Sequence, residues 1–147
     1  MINPQSVALV QEIVRRESLS MLSYVGDAFP WTTARGVPAL ARLQQLVHAH
    51  REAVADLGRF LTRNRTPVGY IGSYPTNFTT INYLSLDYML PRLATDERRG
   101  VAVLERDLAA VTDPDVPAQV KKLLQVKRDH LQALELLAAE NGKPLAG

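Results

Sequence analysis

A chain of 147 residues with 46% apolar and 22% charged side chains can bury one sizeable core, which excludes a disordered tail and removes the need for disulfide or zinc staples. Its 17 Lys and Arg against 15 Asp and Glu leave a formal charge of +2, with short basic runs such as Arg15-Arg16 and Lys121-Lys122 set among acids, so no nucleic-acid partner is expected. Cysteine is absent, which excludes thiolate metal sites and thiol catalysis; with no charged leader ahead of Val7 and no apolar run near the ~18 residues of a membrane span, a soluble cytoplasmic protein without membrane partners is expected.

The first predicted helix covers residues 5–29. It starts after Asn3-Pro4, with Ser6 a second candidate cap, and carries the stripe Val10, Ile13, Val14, Glu17, Met21, Tyr24 and Val25 at 3.6-residue spacing. Phe29-Pro30-Trp31 bends or ends it, since Pro30 lacks an amide hydrogen. The second helix covers 38–63, with Leu43, Leu46, Val47, His50, Val54, Leu57, Phe60 and Leu61 on one face. The third covers 80–111 through Leu86, Met89, Leu90, Leu93, Glu97, Val101 and Leu104, with a kink expected at Pro91. After the turn Thr112-Asp113-Pro114-Asp115, the fourth covers 116–140, with Val120, Leu123, Leu124, Lys127, His130, Leu131, Leu134 and Leu137 inward. Nothing reads as a period-2 strand.

Residues 66–79 are too many for a hairpin between antiparallel neighbours. Extended at about 3.3 Å per residue they span roughly 46 Å, against roughly 39 Å for the second helix, so the segment can run the length of a bundle and make helices two and three parallel. The alternative is a surface Ω-loop pinned by Tyr70, Tyr74 and Phe78.

Each apolar stripe is broken by one metal-competent side chain: Glu17, His50, Glu97 and His130. Ionised carboxylates buried without partners are strongly disfavoured, so this set calls for mutual pairing, a metal or another charge. The pattern resembles the ferritin-like superfamily. That resemblance implies an all-α, up-down-down-up four-helix bundle with a long crossover between helices two and three, and a dinuclear site from single carboxylates on helices one and three and a Glu-x-x-His on helices two and four. Glu17, Glu97, His50 and His130 match; Val47 and Lys127 stand where the two bridging glutamates belong.

Without those glutamates, two metal ions lack compensating charge. One Fe, Mn or Zn ion held by Glu17, His50, Glu97 and His130, with oxidation or peroxide chemistry beside Tyr24, is one reading. The other is a metal-free core in which the Lys127 ammonium stands in the metal's place and pairs with Glu17 or Glu97, leaving a non-catalytic bundle with a structural or interaction role. Whether the protein is an enzyme turns on that choice. Helix two has a register ambiguity, because His48 and His50 are about 200° apart and cannot both face inward; a rotated helix would present His48 and Arg51. Tyr24 joins the core charge network or packs its ring. Trp31 covers the bundle end and, with the aromatic crossover, offers a self-association surface or an apolar ligand pocket. Tyr83, Asp87 and Tyr88 flank the Pro91 kink, where a small pocket could open. Gly69-Tyr70-Ile71-Gly72 lacks the flanking pattern of a phosphate loop.

Overall fold

The computed structural model describes residues 2–81 and 84–142. Within them the chain is all-α: α1 (Pro4–Ser18), α2 (Met21–Val25), α3 (Val37–Arg63), α4 (Leu86–Ala109) and α5 (Pro117–Asn141), with short 3₁₀ turns at Ala34–Gly36 and Thr76–Ile81. Among the described residues there is no strand, only an isolated parallel bridge between Trp31 and Ser85. None of the described helices is long and apolar enough to cross a membrane.

Local chemistry sets the helix ends. Asn3 caps α1 by accepting the Ser6 amide at 2.8 Å, Pro4 occupies the first turn, and Asp113 accepts the Asn3 amide at 2.9 Å, tying the α4–α5 turn to the N-terminus. The helix expected over 5–29 is two helices. Ser20 begins α2 by accepting the Ser23 amide at 3.2 Å, and the Glu17 carbonyl, which would accept from Met21 in a continuous helix, lies 3.0 Å from His50 Nε2 instead. A side chain from α3 therefore stabilises the break. α3 runs unbroken and ends in a Schellman motif: Thr66 and Arg65 amides bond back to Leu61 and Thr62 at 2.9 Å each, with Arg65 left-handed at φ 57°.

The helix expected from residue 80 starts at Leu86, whose amide is taken by the Trp31 carbonyl at 2.8 Å; Met89 to Ser85 is the next bond of the helix. Of the expected third helix, Asn82 and Tyr83 lie outside the described residues. Pro91 sits within α4.

α4 lies along α5, α5 along α3, and α3 along α1. Two apolar clusters fill the interior. One gathers Val10, Ile13 and Val14 of α1, Val54 to Leu61 of α3, Val101 and Leu104 of α4, and Val116 to Leu124 at the start of α5. The other gathers Leu22 and Val25 of α2, Ala39 to Val47 of α3, Leu86 to Ala94 of α4, and Leu134 and Leu137 of α5. The connecting segment begins with Val68 and Ile71 against the first cluster and ends with Ile81 and Leu84 against the second. Gln11 Nε2 donates to the Pro67 carbonyl at 2.7 Å, and Tyr74 and Phe78 pack their rings on Tyr24 at 5.0 and 5.4 Å between centroids, so the segment is anchored at several points.

Candidate functional site

On every long helix the two clusters are separated in sequence by polar positions: Glu17 between Val14 and Leu22, His50 between Val47 and Val54, Glu97 between Ala94 and Val101, and Lys127 with His130 between Leu124 and Leu134. All five side chains are buried; Lys127 is 1% exposed and His50 0%. The register of α3 is thereby settled, for His48 and Arg51 are exposed.

Lys127 holds the layer together. Its Nζ donates to Glu17 Oε1 at 2.7 Å and lies 3.1 Å from Glu97 Oε1, the second contact an ion pair poorly directed for a hydrogen bond. Burial alone opposes a charged ammonium, but the two carboxylates outweigh it and hold Lys127 above the ordinary lysine value. Glu97 is pushed up by burial, with Lys127 only partly offsetting. Arg16 extends the network: its Nε lies 3.8 Å from Glu17 Oε2, and its terminal nitrogen donates to Asp107 of α4 at 2.7 Å.

The two imidazoles are kept neutral. Burial lowers His50, and burial followed by the proximity of His50 and Lys127 lowers His130 to about 4. His50 Nε2 faces the Glu17 carbonyl at 3.0 Å and Ser20 Oγ at 3.3 Å, so its Nε2–H tautomer makes it a side-chain cap on α1. Both Nδ1 atoms are buried without a protein partner. A cavity of about 90 Å³, lined by Glu17, Ser18, Ser23, His50, Arg51 and Val54, reaches this layer beside the α1–α2 break.

A metal ion needs several donors aimed at one point. The point shared by Glu17 and Glu97 is held by an ammonium, His50 directs its Nε2 to a backbone carbonyl, and among the described residues no three His, Asp or Glu side chains are grouped to hold an ion. As they stand here, the residues do not fit a metal centre. Tyr24 is half-buried, with its ring in the aromatic group of Tyr74 and Phe78.

Five contributing residues were not marked by the sequence. Gly100 leaves room for the ammonium: a Cβ there would sit 2.9 Å from Lys127 Nζ and 3.2 Å from its Cε. A lone glycine in a helical stretch is a visible signal, usually with a packing reason. Arg16 with Asp107, and Ser20, act through partners distant in sequence. Asp96 is half-buried, raised by burial with a backbone hydrogen bond from Met21 partly offsetting, and its place off the apolar stripe gave no warning.

The fold and this layer together define an all-α protein with a buried Glu–Lys–Glu ion group. Comparison with known proteins matched no protein family, no curated protein and no solved structure.

Proposed function

We propose that this chain is a ferritin-like, up-down-down-up four-helix bundle whose metal centre has been replaced by the Lys127 ammonium, and that it serves a non-catalytic structural or interaction role, self-association included. The bundle order is supported by cluster membership. α1 and the first part of α5 meet the second half of α3 and of α4 in one cluster, while α2 and the last part of α5 meet the first half of α3 and of α4 in the other. That arrangement makes α3 and α4 parallel and asks the segment between them to travel the bundle's length.

The observation that carries the functional reading is the position of Lys127 Nζ, 2.7 Å from Glu17 and 3.1 Å from Glu97. One ammonium between two carboxylates supplies half the positive charge that a divalent ion would bring, with Arg16 at 3.8 Å from Glu17 adding to it, and a further cation beside them would be repelled. Elemental analysis of protein purified without a metal-affinity tag is the test. Well under half an equivalent of Fe, Mn and Zn per chain is expected; about one equivalent, lost in both Glu17→Gln and His50→Gln, would overturn the reading in favour of a mononuclear metalloprotein.

A further inference from the structure

Away from the buried layer, a cleft of about 540 Å³ opens between the Trp31–Gly36 segment, the start of α4 and the end of α5. Its size lies within the ~300–1,000 Å³ typical of small-molecule sites. The walls are tied down. The Trp31 carbonyl accepts the Leu86 amide at 2.8 Å, bridging the first wall to α4. A Cβ on Gly36 would lie 2.0 Å from Thr32 Oγ1, so the Gly36 backbone packs closely against the Thr32 side chain within that wall. At the end of α5, a Cβ on Gly142 would lie 2.6 Å from the Ala138 carbonyl and 3.0 Å from Pro91 of α4. Two close contacts thus bound the cleft, Gly36 against the Thr32 side chain and Gly142 against the end of α5 and Pro91.

Its lining carries both signs of charge. Arg35 and Glu140 are exposed on it, and among the described residues neither lies within ion-pair distance of an opposite charge, unlike most charged side chains on the long helices. Asp87, which accepts from Ser85 Oγ, adds a second carboxylate, the hydroxyl of Thr32 adds a polar group, and the apolar lining is buried Leu86 and the indole of Trp31, 59% exposed. The start of α4 and the end of α5 meet at the cleft, so the positive end of one helix dipole and the negative end of another bracket it. A purely anionic ligand would face Glu140 and Asp87, and a purely cationic one would face Arg35. A ligand with both charges and an apolar body meets complementary groups at each point.

We propose that this cleft binds a free α-amino acid with an apolar side chain, its carboxylate on Arg35, its ammonium on Glu140 and its side chain against Leu86 and Trp31. The proposal is independent of the Lys127 layer and survives or fails separately from it.

Trp31 is the single tryptophan of the chain and reports directly on the cleft. L-leucine, L-methionine and L-phenylalanine are titrated into the full chain, followed by Trp31 emission and by calorimetry. 4-Methylpentanoate and isopentylamine serve as analogues of leucine that lack the ammonium or the carboxylate. At least one amino acid is expected to bind saturably, with each single-charge analogue, Arg35→Ala and Glu140→Gln weakening binding about tenfold or more, the worth of one charge-assisted hydrogen bond. Both substitutions lie on exposed side chains and leave the helical circular dichroism unchanged. No saturable signal by either method up to about 10 mM, a −2.7 kcal/mol limit on affinity, overturns the proposal. So does equal binding of the single-charge analogues, or binding indifferent to both substitutions.

Discussion

The middle of the molecule and its cleft-bearing end handle charge in opposite ways. In the middle, Glu17, Glu97 and Lys127 are withdrawn from water and matched to one another within 3.1 Å; at the end, Arg35 and Glu140 stay solvated without an ion-pair partner among the described residues. The contrast teaches that burial determines what a charge does. A buried ion must be partnered and becomes part of the architecture, whereas an exposed one costs little to leave open for a ligand.

The largest expected effect comes from breaking the buried group on one side only. Lys127→Ala leaves Glu97 buried without a cation and Glu17 with only the 3.8 Å contact to Arg16, and should cost about 3–5 kcal/mol in chemical denaturation, whereas Arg35→Ala at the solvated end should change stability by about 0.5 kcal/mol or less. Replacing the whole group together with apolar side chains of similar volume, as Glu17→Met, Glu97→Met and Lys127→Met, should restore most of the loss. A triple variant as unstable as Lys127→Ala would mean that the deficit comes from packing and not from unpaired charge.

Gly100→Ala sharpens the same point. Added volume against a pinned ammonium costs about 1–3 kcal/mol and the gain in helix propensity offsets about 1 kcal/mol of it, so a net loss of up to about 2 kcal/mol is expected. In a Lys127→Ala background the clash is gone and the same substitution should stabilise; equal effects in both backgrounds would break the link between the two residues.

How much of this could be read from the sequence follows from the range of each interaction. Periodicity is local, and it exposed the helices, the inward face holding Glu17, His50, Glu97, Lys127 and His130, and the segment that parts α3 from α4. The break between α1 and α2 was not legible, because Ser20 is an ordinary helix-surface residue until His50, from another helix, takes the Glu17 carbonyl. Position 127 showed as an inward lysine, but its choice of both Glu17 and Glu97 depends on side-chain reach across three helices. The cleft was less legible still. Its walls come from three separate stretches; Trp31 and Asp87 alone stood out as pocket candidates, and Leu86 showed only as a core position.

Acid should expose a smaller difference. For His130 the unfolded chain takes up a proton as pH falls below about 6.5, while the folded chain refuses it until about 4, so stability is lost as pH drops through that window. His50 acts in the same direction, and Glu97, raised by burial, acts in the opposite one. His130→Gln should therefore lose less stability than the parent between those pH values, whatever its stability at neutral pH. An unchanged slope would show that His130 titrates as an exposed imidazole does.

The smallest effect is expected at the end of α3. Arg65 is exposed and left-handed, a conformation that costs a side-chain-bearing residue roughly 1 kcal/mol and glycine almost nothing. Arg65→Gly should stabilise by up to about 1 kcal/mol, read as a shift in denaturation midpoint at unchanged slope. A loss would mean that the Arg65 side chain makes a favourable contact outweighing the strain.

The account rests on a charged Lys127 ammonium shared by Glu17 and Glu97, and nitrogen NMR of the lysine side chains reads it directly. A single Nζ resonance, absent in Lys127→Met, should show slowly exchanging ammonium protons at neutral pH and remain protonated beyond the ordinary lysine value of 10.5. A Lys127 signal that exchanges as fast as the surface lysines, or that loses its proton below 10.5, would contradict it.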